Sequence, residues 1–133
     1  YVADRDGGTT QNDPAVSVIR WFDMQTGDPA GEVRVDRSTG FNDIEVAADG
    51  TIYATQTGGG GQAPDPSTWQ VWKVTPAGAA SILVQGAPLR QPNGIALDRD
   101  GSFLVAHLSD GEGGLFRLHR DGRLLPVLRQ GGQ

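Results

Sequence analysis

Asn42 and Asn93 are the residues whose type and spacing best suit them to chemistry in this chain. They lie 51 positions apart, and each heads a predicted strand that is followed by an Asp-Gly pair. A side-chain amide offers a neutral oxygen, a ligand that Ca²⁺ accepts together with carboxylates, carbonyls and water. Because Ca²⁺ takes about six to eight oxygen ligands, two asparagines can supply only part of a metal site. The alternative interpretation is structural, since asparagine is also a common turn residue.

A pair of short strands joined by a tight turn positions each asparagine. After Asn93 the apolar residues alternate up to Leu97, which predicts a strand with one face turned inward. Asp100-Gly101 is a hairpin signal, because both residues tolerate the backbone angles of tight turns. Phe103–Ala106 reads as the return strand and, being apolar throughout, is expected to be buried on both faces. The sequence after Asn42 follows the same plan.

Four short strands recur with a period of about 50 residues, which is typical of a β-propeller blade. The sequence therefore predicts an all-β fold and about three four-stranded blades, half of a six-bladed ring. The predicted partial propeller spans residues 1–133, with a first blade at 1–40 that lacks its innermost strand, a second at 41–91 and a third at 92–129. Pro126 removes a ladder donor and places the last strand at a sheet edge. Propellers close with about four to eight blades, so we expect a second chain or a missing half to complete the ring.

Composition excludes several classes of function. The 133 residues include no Cys, which excludes disulfides and cysteine catalysis, and they carry a net charge of −5 with scattered basic residues. An acidic chain of this kind is a poor binder of nucleic acid. No apolar run approaches the ~20 residues that span a membrane, so we expect a soluble protein without nucleic-acid or membrane partners. Its compartment, cytoplasmic, periplasmic or secreted, is not specified by the sequence.

The two asparagine-bearing stretches, Phe41–Ile44 and Pro92–Leu97, each followed by Asp-Gly, resemble the family of senescence marker protein, gluconolactonase and luciferin-regenerating enzyme. The resemblance covers most of the chain, from about Tyr1 to Gly122. It implies a six-bladed propeller with a divalent metal, usually Ca²⁺, at the hub. It also implies hydrolysis of sugar lactones and related esters, and in some relatives of organophosphates.

The same resemblance assigns candidate roles residue by residue. Asn93 matches the asparagine that binds the metal, and Asn42 matches the asparagine beside it, which is a direct ligand or a substrate contact. Asp43 matches an aspartate that faces the pocket. Two positions depart from the family pattern, since Ile44 stands where glycine is usual and Gly40 where an arginine is frequent. The metal-binding glutamate of the family's first blade and the aspartate expected as catalytic base have no counterpart in this chain.

The last residue of the second strand in each blade is expected to line the rim of the same pocket. These positions are Asp4, Gln56 and His107. We expect Gln56 and His107, with Asn42 and Asp43, to contact the substrate. A histidine hydrogen-bonded inside a blade is the structural alternative for His107.

Three hypotheses follow. The first is a hydrolase of a small-molecule lactone or related ester, with Ca²⁺ or another divalent metal at the hub and the catalytic residue outside this chain. The second is a non-catalytic binding platform of the kind built from NHL-type repeats. The third is a half-propeller that pairs with itself and has no enzymatic activity.

Overall fold

The structure is a computed structural model that describes residues 1–8, 10, 12–58, 65–108 and 113–128. Within these ranges the chain forms eleven strands, two short 3₁₀ turns at Pro66–Thr68 and Ala87–Leu89, and no α-helix. None of the described helical turns is long and apolar enough to cross a membrane. The strands are β1 Val2–Asp6, β2 Val16–Phe22, β3 Pro29–Val35, β4 Asp43–Val46, β5 Ile52–Gln56, β6 Gln70–Val74, β7 Ala80–Gln85, β8 Pro92–Leu97, β9 Phe103–His107, β10 Gly114–Leu118 and β11 Leu124–Leu128.

The chain divides into two compact units, residues 1–41 and 42–133. Unit 1 holds an antiparallel sheet with the order β1-β2-β3. Val18 and Ile19 of β2 are both fully buried, whereas the next residue, Arg20, forms ion pairs with Asp4 and Asp6 of β1 and with Glu32 of β3. Asp4, a predicted rim position, therefore pairs with arginine in unit 1.

Unit 2 contains two four-stranded antiparallel sheets with the same connectivity. The middle sheet has the order β4-β5-β6-β7 and the third sheet has the order β8-β9-β10-β11. The two sheets contact each other where β8 packs against β4 and β5. The prediction for Pro126 is confirmed, because β11 is an edge strand of the third sheet.

Side chains from both sheets of unit 2 form one hydrophobic core. Tyr53 of β5 lies against Phe103 of β9, with ring centroids 4.3 Å apart, and Val71 and Val105 are fully buried in the same cluster. Each buried side chain of this size stabilises the folded state by about 1.5–3 kcal/mol. The expectation that Phe103–Ala106 is buried on both faces was wrong, because Ala106 is exposed. The core residues of β9 alternate and face the middle sheet, so they bury one face only.

The strand directions give unit 2 two distinct ends. The tight turns at residues 47–51, 75–79, 98–102 and 119–123 lie at one end, which we call the turn end. The strands β4 and β8 begin at the opposite end, beside Asn42 and Asn93, and we call this the asparagine end.

The all-β prediction is confirmed in the form of three antiparallel sheets of three or four strands. No sheet closes on itself among the described residues. The arrangement of these sheets as blades of a propeller stays a prediction.

Candidate functional site at the asparagine end

Strand β8 begins with a bulge that carries Asn93. Pro92 pairs with His107, but the next pair is Ile95 with Val105, so Asn93 and Gly94 together oppose a single residue of β9. A bulge removes ladder hydrogen bonds and changes the direction of the side chains it carries. The backbone groups of this segment therefore need partners from outside the third sheet.

The middle sheet provides those partners through three side chains. The Asp43 carboxylate accepts a hydrogen bond from the Ile95 N–H at 2.9 Å. The Thr55 hydroxyl donates to the Asn93 carbonyl, and the Thr57 hydroxyl donates to the Pro92 carbonyl at 2.7 Å. These bonds fix the asparagine-bearing bulge of one sheet to the strands of the other.

Asn42 lies directly before β4 and also bonds Thr55. Its N–H donates to the Thr55 carbonyl at 2.8 Å, and Thr55 is fully buried. The Asn42 residue is exposed and Asn93 is half-buried. No hydrogen bond of either side-chain amide occurs within the described ranges. The structure thus links the two predicted metal ligands through Thr55 and leaves their amides exposed or partly exposed.

Asp43 makes contacts with both sheets. One carboxylate oxygen accepts the N–H of Ile44 at 2.9 Å and the other accepts the N–H of Ile95. Its own N–H points to the Thr55 hydroxyl at 3.2 Å. The predicted substrate contact is therefore also a connection between β4 and β8.

Gln56 belongs to a buried amide network. Its side chain is 3% exposed, and its amide nitrogen donates to the Thr68 carbonyl at 2.8 Å and to the Gln70 amide oxygen at 3.0 Å. The same Gln70 oxygen accepts the indole N–H of Trp72 at 2.8 Å. This network holds the segment around residue 68 against β5 and β6. Residues 59–64, in the middle of that connection, lie outside the described residues.

His107 is buried where β9 ends. It is 6% exposed and stacks on Phe116 with ring centroids 4.5 Å apart. Burial lowers the pKa of His107, and the positive charge of Arg90 acts in the same direction. Its Nδ1 atom is buried without a hydrogen bond inside the part of the chain that the structure describes. His107 is therefore neutral near pH 7, in a form that can accept or donate a proton.

The donor set at the asparagine end fits part of a Ca²⁺ site. Amide oxygens of the type carried by Asn42 and Asn93 are suitable ligands, but neither brings a negative charge. In the described ranges no three His, Asp or Glu side chains come together as a group that could hold a metal ion. A complete Ca²⁺ site would need carboxylates in addition to these two amides.

Sequence reasoning missed Thr55 and Thr57. Thr55 lies near the end of β5 and Thr57 directly follows it, and Thr55 interrupts an apolar strand without a turn or charge signal. Their partners lie 38 and 35 positions away, so no local pattern identifies them. A threonine after the apolar run Ile52–Ala54 was the one sequence signal that could have singled out Thr55, because a hydroxyl in a buried strand requires a partner.

No protein-family model matches the chain, and no curated protein matches its sequence. The resemblance to the gluconolactonase-like family therefore stays a prediction that depends on the two asparagine-bearing stretches.

Proposed function

We propose that this chain forms part of a β-propeller hydrolase that acts on a lactone or a related ester and depends on Ca²⁺ or another divalent metal. The observation that carries the proposal is the connection of Asn42 to Asn93 through Thr55 at the asparagine end. It brings Asn42 and Asn93, the residues on which the resemblance depends, close to the same buried threonine.

In this mechanism the chain contributes binding and orientation. Asn42 and Asn93 would each provide an amide oxygen to the metal, and the hydrogen bonds of Asp43 to the backbone of Ile44 and Ile95 would keep the two strands in place. When bound, the metal supplies a Lewis acid that polarises the carbonyl of the ester. We assign the catalytic base and the missing carboxylates to the part of the ring that this chain does not provide.

The proposal is tested by hydrolysis of a panel of lactones and aryl esters, with the protein purified together with whatever chain accompanies it. We expect activity to disappear after treatment with EDTA and to return with Ca²⁺. Asn93→Ala should weaken Ca²⁺ binding by about tenfold or more, since even outer partners of metal ligands cost about 10- to 100-fold. The control is Thr75→Ala, because Thr75 lies at the turn end of unit 2, opposite the two asparagines. Activity that survives metal removal would contradict this mechanism.

Native mass spectrometry of the same sample tests the architecture. A species of twice the chain mass supports a ring made of two halves, and a species that contains a different polypeptide supports a ring completed by a partner. A monomer under all conditions would contradict a closed ring and, with it, the hydrolase.

A non-catalytic binding platform is the second candidate, and a specific observation favours it. Three of the four predicted substrate contacts make interactions inside the fold: Asp43 binds backbone N–H groups, Gln56 belongs to the amide network, and His107 stacks on Phe116. In this case the asparagines would be turn residues. The wild-type protein would then hydrolyse no ester of the panel, and Asn42→Ala and Asn93→Ala would not change Ca²⁺ binding.

A further inference from the structure

Thr55 is the residue through which the two asparagine-bearing strands contact each other. It is fully buried in β5, between β4 of its own sheet and β8 of the third sheet. Its carbonyl accepts the N–H of Asn42 at 2.8 Å. Its hydroxyl donates to the carbonyl of Asn93 and lies 3.2 Å from the N–H of Asp43. One residue thus contacts the backbone of both predicted metal ligands.

The hydroxyl is needed because of the bulge. The register shift between Pro92 and Ile95 takes Asn93 out of regular pairing with β9, and a carbonyl removed from water without a partner destabilises the fold. With the hydroxyl present, the Asn93 peptide has a fixed position relative to β4. Without it, this peptide can rotate and the Asn93 amide moves with it.

We propose that Thr55 is a positioning residue, which sets the placement of Asn93 relative to Asn42 so that both amides can bind one metal ion. This inference rests on the proposed function, because it assigns the pair to a shared Ca²⁺ site. Thr55 itself contacts backbone atoms and not the metal.

The experiment compares Thr55→Val with Thr55→Ser. Valine preserves the shape of the side chain but removes the hydroxyl, and serine restores it. The first readout is the NMR signal of the Asn93 carbonyl carbon and the Gly94 amide nitrogen, which belong to one peptide group and respond to the hydrogen bond. The second is the Kd for Ca²⁺ alone, measured by calorimetry. We expect Thr55→Val to shift the NMR signals and to weaken Ca²⁺ binding by about tenfold or more, and we expect Thr55→Ser to restore both.

Thr51→Val is the matched control. Thr51 is also buried, 5% exposed, but it precedes β5 at the turn end and its side chain bonds Asp49. This variant carries the same chemical change in the same sheet, so it should alter neither the Asn93 signals nor the Kd. Thermal unfolding of all three variants verifies that each is folded.

The outcomes separate this inference from the proposed function. Wild-type protein that binds no Ca²⁺ overturns the proposed function and the metal-positioning role together, while the carbonyl signal still reports whether Thr55 holds the bulge. Wild-type protein that binds Ca²⁺ while Thr55→Val binds it equally tightly overturns the positioning role alone. A loss of binding in Thr51→Val of the same size would mean a general effect of stability, and this would also overturn it.

Discussion

The aspartate hydrogen bonds at the turn end of unit 2 are shorter in range than the bonds at the asparagine end, although Arg120 also donates to the Tyr53 hydroxyl across the two sheets. At the turn end, Asp49, Asp100 and Asp121 each accept the N–H of the residue two positions later, at 2.9, 2.9 and 3.1 Å. At the asparagine end, the bonds from Thr57, Thr55 and Ile95 cross between the sheets and join residues 35, 38 and 52 positions apart. The first kind closes one hairpin at a time, whereas the second joins two sheets.

Glycine completes each of these turns. Gly50, Gly101 and Gly122 have φ of 82°, 83° and 91°, a region that glycine enters without steric cost. The Asp-Gly pair is therefore the local sequence signal for each of these turns.

This difference predicts how substitutions at each end affect stability. A substitution at the turn end should have a local cost, while a substitution at the asparagine end should loosen the contact between sheets and disturb the candidate site. Three predictions follow, from the largest expected effect to the smallest.

Asp43→Ala should have the largest effect. The change removes the partners of the Ile44 and Ile95 N–H groups, and hydrogen bonds to a charged group contribute about 1.5–3 kcal/mol. We expect the free energy of unfolding to fall by about 2 kcal/mol, measured by urea denaturation. The Ile95 amide should also exchange faster with solvent.

Asp43→Asn is the matched variant, because an amide oxygen can still accept one N–H. Its loss of stability should be smaller than that of the alanine variant. Equal stability of wild type and Asp43→Ala would mean that the connection between sheets does not depend on this side chain.

Gly101→Ala should have an intermediate and local effect. Alanine at a φ of 83° is strained, and the left-handed region costs a non-glycine residue about 1–2 kcal/mol. The new Cβ would meet no close neighbour, since the nearest atom is Nε of Arg120 at 4.0 Å. We expect a loss of about 1 kcal/mol in unfolding free energy, with the NMR signals of Asn93 and Gly94 unchanged.

Gly113→Ala serves as the control for this glycine. Its φ lies outside the left-handed region, and an added Cβ would lie 3.6 Å from the nearest atom, the His107 carbonyl oxygen. Its stability should therefore remain close to that of wild type. A Gly101→Ala variant as stable as this control would show that the turn does not require glycine at position 101.

The same contrast explains how much of the fold could be predicted from the sequence. Asp100-Gly101 and the alternating residues around it specify a hairpin within a few positions, and the structure has β8 and β9 on either side of this turn. The bulge at Asn93-Gly94 is different, since its partners Asp43 and Thr55 lie in another sheet. Partners that are this far apart in the sequence can be identified only once the packing of the two sheets is known.

The residues of the candidate site were also predictable from the sequence only where a local pattern marks them. Asn42 and Asn93 could be singled out because their spacing matches a repeated local pattern, and the structure connects them through Thr55. His107 and Gln56 were identified from strand position alone, which does not reveal burial. Both are nearly inaccessible, at 6% and 3% exposure, because Phe116 stacks on His107 and Gln56 is bonded to the Thr68 segment.

His107 provides the smallest of the three effects, a dependence of stability on pH. Burial, together with the nearby Arg90 charge, lowers the pKa of His107 below its usual 6.5. As pH falls through 6.5, the unfolded chain therefore binds a proton at this imidazole that the folded chain does not. The contribution of the neutral side chain is present at pH 7.5 and decreases toward pH 5, so the free energy of unfolding should fall over this range.

His107→Phe isolates this contribution, because phenylalanine can still stack on Phe116 but does not titrate. Urea denaturation of both proteins at pH 7.5 and pH 5 should show the wild type losing more stability than the variant. The carboxyl groups with lowered pKa, such as Asp100, lose their contribution as pH falls near and below 3.8, and they are common to both proteins. An identical pH dependence of the two proteins would mean that the folded chain binds the proton at His107 as readily as the unfolded chain does.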